Sequence, residues 1–204
     1  MKVLVNESEA GAADRAVELL ESQGHDVLRC HERDDGPFPC AALRPGHVCP
    51  LRDPGVDVAV TVRSSPRSRP ALLEDGISCA LRARVPVVVA GQTGLNPYEG
   101  FGVEVVEGPH VVGALERLAM APSPGHSQVA TEALLDALQR EPGDAVAVAY
   151  RSRSGVRVEL EAVPTVDRAA VKAAVPKVIA AVRRYDRDTE RIDVSIVEAA
   201  VDAA

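Results

Sequence analysis

Residues 56–62 read Val56-Asp57-Val58-Ala59-Val60-Thr61-Val62, and residues 85–90 read Val85-Pro86-Val87-Val88-Val89-Ala90. Both runs are short, rich in β-branched side chains and apolar at nearly every position, as strands are. A strand with one wet face alternates apolar and polar residues. A strand that is apolar throughout is covered on both faces, which is the condition of a parallel sheet between helical layers. These two stretches therefore predict buried central strands, and the helical spacing between them, over residues 72–84, predicts the crossover that joins them.

The same alternation continues to either side. Residues 2–6, 26–30 and 103–106 carry further strand signals. Residues 12–23 place Ala16, Val17, Leu19 and Leu20 on one helical face, with Gly24 as a stop, and residues 111–119 close the pattern with another helix. Residues 1–120 thus predict an α/β fold: a doubly wound, mostly parallel five-stranded sheet of the Rossmann or flavodoxin kind. One unit departs from this. Between the second and third strands, residues 33–54 hold prolines at 37, 39, 45, 50 and 54 and show no helical period. A Cys- and Pro-rich loop is expected to replace the helix there, and loops of that length in compact domains tend to be functional.

Residues 121–126 begin Ala121-Pro122-Ser123-Pro124-Gly125 and have the composition of a linker. Beyond it the pattern changes to a helix over 129–139, alternating strands over 145–150 and 156–163, a long helix over 165–185 with Thr165 as its cap, and a strand over 192–197. Residues 127–204 therefore predict a small α+β domain of order α-β-β-α-β. Its hairpin reads VAVAYRSRSGVRVELEAV, its long helix VDRAAVKAAVPKVIAAVRRY and its last strand RIDVSIVE. Over about residues 145–198 this order resembles the alkaline-shock or envelope-stress family. That resemblance implies a non-enzymatic scaffolding or stress-response role. The long apolar helix, with one face on its own sheet and the rest free for a partner, is expected to mediate self-association to a homo-oligomer.

Composition narrows the functional classes. The chain has 204 residues with 23 basic against 30 acidic, a net charge of −7, which argues against a dedicated nucleic-acid binder. Aromatic content of 2% weakens any reading based on base stacking. No apolar run approaches the ~20 residues that span a bilayer, so no membrane role is expected. The apolar start is cut off by Glu7 and Glu9, too short for a secretion signal, which points to the cytoplasm. In that reducing setting the four cysteines are expected as thiols, metal ligands or redox groups rather than disulfides.

Three candidate sites follow. Cys30, Cys40, Cys49 and His47 lie within twenty residues, with His31 beside them, and such N/S donors suit zinc or an iron–sulfur cluster. Cys79 is expected as a core residue or a completing ligand, and Cys40 with Cys49 as a thiol redox pair. The spacings, nine and then eight intervening residues, are wider than those of paired metal ligands.

The second candidate is the carboxyl edge of the sheet, where open α/β sheets bind ligands. There Asn6 and Ser8 end the first strand, Arg63, Ser64, Ser65, Arg67 and Arg69 follow the third, and Thr93 and Asn96 follow the fourth. Guanidinium forks and hydroxyls ahead of a helix start suit a small anionic ligand. No glycine-rich nucleotide fingerprint is present, and no nucleophile–base motif marks an enzyme. The edge therefore predicts a binding or regulatory protein, with an enzyme acting on a nucleotide or sugar phosphate as the alternative.

The third candidate is the arginine group of the second domain. It comprises Arg151, Arg153 and Arg157 on the hairpin, and Arg183, Arg184 and Arg187, which are expected to complement a helix C-terminus. Asp186, Asp188 and Glu190 interleave with the latter and weaken an RNA-binding reading, and His126 is expected to lie exposed after the linker.

Overall fold

A computed structural model describes residues 1–31, 40–53 and 55–197. Pro37, Pro39 and Pro54 of the Cys- and Pro-rich segment lie outside the described residues. The chain divides into two compact units, Met1–Met120 and Ala121–Ala204. Among the described residues, no helix is long and apolar enough to cross a membrane.

Unit 1 carries β1 (Lys2–Glu7), α1 (Asp14–Ser22), β2 (Asp26–Arg29), β3 (Val58–Arg63), α2 (Asp75–Arg82), β4 (Val87–Gly91), β5 (Glu104–Val106) and α3 (Val111–Met120). All five strands are parallel, in the order β2-β1-β3-β4-β5, which is the flavodoxin-like order. Strand alternation sorts the core into two layers. Val3, Val5, Val58, Val60, Val88 and Ala90 pack under α1 and α3. Leu4, Ala59, Val87 and Val89 point the other way, under Ile77 and Ala80 of α2. At roughly 1.5–3 kcal/mol per fully buried aliphatic side chain, these two layers dominate the stability of the unit.

The α2 face has irregular neighbours on both sides. The described part of the β2–β3 connection holds a 3-10 turn, Ala41–Leu43, and packs Leu51 on this layer. The β4–β5 connection is without an α-helix, and it buries Tyr98 there. The sequence expectation of a loop in place of one helix thus has a counterpart at the second connection. The chain turns leftward from β1 to β2 and rightward from β3 to β4, so its topological switch point lies between the carboxyl ends of β1 and β3.

Unit 2 carries α4 (Pro124–Leu138), β6 (Ala145–Ser152), β7 (Gly155–Ala162), α5 (Arg168–Tyr185) and β8 (Ile192–Ile196). β6 and β7 form an antiparallel hairpin with Ser152 opposite Gly155, and β8 runs parallel to β7. The outer edge of β6 is closed by side chains of α4: Ala147 N donates to Thr131 Oγ1 at 2.9 Å and Ala149 N to Ser127 Oγ at 2.9 Å. That satisfies an edge that would otherwise invite foreign strands. Three local expectations change. Asp167, not Thr165, caps α5, its side chain accepting from Ala169 N at 3.0 Å. The helix α4 starts within the expected linker, because Ser123 and Pro124 occupy the N-cap and first helical positions. His126 is therefore in the first turn and is 1% exposed, not at the surface.

Candidate functional site

Alternation along the strands continues past the apolar core. On the α2 face, Leu4 is followed by Asn6, and Ala59 by Thr61 and Arg63. Asn6 and Thr61 are register partners across β1 and β3, at the switch point. All three polar side chains are buried, as are Glu74 in the turn before α2 and Tyr98 in the β4–β5 connection. The carboxyl end of this face is thus a polar layer over an apolar one.

Glu74 organises the layer. Its Oε1 accepts from Thr61 Oγ1 at 2.7 Å, and its Oε2 accepts from Ala71 N at 2.7 Å. Arg63 Nε lies 3.2 Å from Oε1, an ion-pair contact without the alignment of a hydrogen bond. Arg63 Nη1 donates to the Leu95 carbonyl at 2.6 Å, pinning the loop after β4. Burial raises the Tyr98 hydroxyl, the Glu74 carboxylate adds to that and the Arg63 charge opposes it, so the phenol stays protonated as a donor.

Among the described residues, five side-chain atoms in this layer are buried without a hydrogen bond: both amide atoms of Asn6, Arg63 Nη2, the Tyr98 hydroxyl, and Arg63 Nε, which has its ion pair with Glu74. Each such orphan costs about 1–3 kcal/mol, and buried polar groups are otherwise almost always paired. The space around Asn6 is tight on one side: a Cβ on Gly76 would collide with Asn6 Oδ1 and come within 2.9 Å of Cys30 Sγ. Glycine at 76 is what lets the start of α2 lie against the end of β1.

The other residues expected at the edge have structural roles or stand apart. Ser8 and Ser64 tie the two loops together, with Ser64 N donating to Ser8 Oγ at 3.0 Å. Arg67 pairs with Glu9 and donates to Ser65 Oγ at 3.2 Å. Asn96 turns its own loop by accepting from Tyr98 N at 2.9 Å. Thr93 is half-buried, and Arg69 is exposed. Glu7 is buried at the start of α1, accepting from Ala13 N at 3.1 Å and facing Arg29 Nη1 at 3.4 Å. Both helix starts at this edge are therefore already supplied with a carboxylate, Glu7 at α1 and Glu74 ahead of α2.

All four thiols are free. Cys30 is buried against α2, and its thiol is pushed up to about 12 by burial, with Cys40, Cys49, Asp75 and Cys79 adding to the effect. A thiol held protonated behaves as a small apolar side chain. His47 is exposed and turns toward the Pro45 carbonyl, 3.4 Å away. His31 pairs with Asp75, Nε2 to Oδ1 at 2.9 Å. Among the described residues no three or more His, Cys, Asp or Glu side chains are grouped to hold a metal ion.

Nothing in the sequence marks Glu74 or Tyr98 as a site residue, and Thr61 stands in it only as part of a strand. Thr61 is the lone polar residue inside an apolar strand on the α2 face, and that position was its signal. Compared with protein-family profiles and with curated proteins, the chain matches none of them.

Proposed function

We propose that unit 1 binds a small molecule bearing one acceptor group, such as a monocarboxylate, at the switch point between β1 and β3. The observation that carries this reading is the set of unpaired, buried atoms on Asn6, Arg63 and Tyr98. Arg63 Nη2, Asn6 Nδ2 and the Tyr98 hydroxyl are donors, and Asn6 Oδ1 is a single acceptor. A carboxylate answers donors of that kind. The Arg63 charge is already balanced by Glu74, so the layer favours a ligand of low charge. A phosphate ester would meet the Glu7 and Glu74 carboxylates at the two helix starts, which argues against a nucleotide or sugar phosphate.

Ligand binding stabilises the native state by about 2.7 kcal/mol at a hundredfold excess over Kd. Thermal unfolding in acetate, glycolate, succinate and inorganic phosphate, at matched ionic strength, tests the reading. A rise in midpoint with a monocarboxylate that exceeds the rise with phosphate is expected, and Asn6→Leu removes it. No rise with any of the four, or an equal rise in Asn6→Leu, contradicts it.

A further inference from the structure

Unit 2 holds a second buried polar chain, independent of the edge site. Ser123 occupies the N-cap of α4 but makes no side-chain bond to the backbone of the first turn. Its hydroxyl lies 2.7 Å from His126 Nδ1 instead. The other ring nitrogen, Nε2, is 3.1 Å from Asp186 Oδ2, at the end of α5. Arg151 Nε stands 3.7 Å from that same oxygen. The Tyr185 ring meets the imidazole edge-on, with centroids 5.0 Å apart at 82°. Gly125 makes room for this, since a Cβ there would collide with the Tyr185 hydroxyl.

The neighbouring charges fix where the protons lie. Burial pushes the Asp186 carboxyl up, but hydrogen bonds from His126 and Thr189 and the Arg151 charge outweigh it and hold the group below its usual range. An ionised carboxylate only accepts, so Nε2 carries hydrogen. In the neutral ring Nδ1 then presents a lone pair, and the Ser123 hydroxyl donates to it. A hydroxyl on a base that is oriented by a buried carboxylate is the arrangement of an activated serine, here with the two ring nitrogens in exchanged roles. Ser123 is half-buried, whereas His126 and Asp186 are enclosed.

We propose that Ser123 is a nucleophile toward small carboxylic esters, with His126 as its base and Asp186 as the positioning residue. Ser123 Oγ adds to the ester carbonyl carbon while its proton passes to His126 Nδ1 and the C=O electron pair moves to oxygen. The tetrahedral species collapses, the bond to the alcohol oxygen breaks, and that oxygen leaves with the proton from Nδ1. Water then adds to the acyl-Ser123 ester by the same route. The carboxylic acid is released and the hydroxyl restored.

The test uses the full chain with p-nitrophenyl acetate and an alkyl fluorophosphonate, read by intact mass and peptide mapping. The expected result is one phosphonyl adduct, on Ser123, forming about 10²–10⁴-fold faster in the native protein than in urea, where the base is no longer held beside the hydroxyl. Ser123→Ala loses the adduct and the acetyl burst while still folding, with a lowered urea midpoint because His126 Nδ1 is left buried without its partner. Folded Asp186→Asn reacts more slowly at Ser123, a change in reactivity that a purely structural tie between α4 and α5 would not produce. The comparison of native, urea-unfolded and Ser123→Ala protein decides the matter even if Asp186→Asn does not fold. No adduct at Ser123, or one that forms equally fast in urea, overturns the proposal.

Discussion

Glu74→Ala is expected to cost unit 1 about 3–5 kcal/mol, because it strands the buried Arg63 guanidinium without its counter-charge. Arg63 is 1% exposed and Glu74 0%. The loss is more than that of one ion pair, since Thr61 Oγ1 and Ala71 N lose their acceptor as well. Against a typical domain stability of about 5–15 kcal/mol, that is a large fraction. Replacing both partners, as in Arg63→Met with Glu74→Leu, removes the charge instead of isolating it and recovers the part of the loss that the stranded guanidinium causes, while Thr61 Oγ1 and Ala71 N stay without their acceptor. Urea unfolding followed by far-UV circular dichroism, with amide exchange read in β3, gives both numbers. A single-variant loss below about 1 kcal/mol would mean that water reaches the pair, as at exposed ion pairs.

Gly91→Ala is the second substitution with a large expected effect. Gly91 ends β4 at φ +88°, in the left-handed region that side chains avoid. A Cβ there would collide with the Arg63 carbonyl oxygen and lie 3.2 Å from Arg63 N, both of them backbone atoms that cannot rotate away. Left-handed strain of about 1–2 kcal/mol and overpacking of about 1–3 kcal/mol combine to roughly 2–5 kcal/mol. The damage falls where β3 and β4 meet, with Gln92 N donating to the Arg63 carbonyl at 2.8 Å. Gly108→Ala is the control. Nothing lies within 4 Å of its added Cβ and its φ is ordinary, so its unfolding midpoint should be unchanged or slightly raised. Equal midpoints for the two variants would show that β4 can shift to accept the methyl group.

The sequence makes the layers of unit 1 legible because the signal is local. Val58, Val60 and Val88, with Ala59, Val87 and Val89, announce burial on both faces by the absence of polar partners along the strand. The strand order is not local, since it depends on which way the chain crosses after β2, and no residue spells that out. At the site, Asn6 and Arg63 stand out by position, at strand ends on the carboxyl edge. Their surroundings do not. Arg63 reads as a loop cation, yet Glu74, Leu95 and Tyr98, which enclose it, arrive from two later connections. Ser123 and Pro124 show a different failure, of ambiguity rather than distance. Pro and Gly mark linkers, but Ser followed by Pro is also a helix start, and in unit 2 the second meaning buries His126.

The central claim is that the edge layer is incomplete without a ligand, and the unfolding free energy of Tyr98→Phe in ligand-free buffer tests it most directly. The Tyr98 hydroxyl is buried and, among the described residues, has no hydrogen-bond partner, so on its own it is only a desolvation cost. Tyr98→Phe is expected to be more stable than the wild type by about 1–3 kcal/mol without ligand, and to lose the rise in midpoint that a monocarboxylate gives. A Tyr98→Phe protein less stable than the wild type in the same buffer would show that the hydroxyl already has its partner within the fold, and would contradict the site.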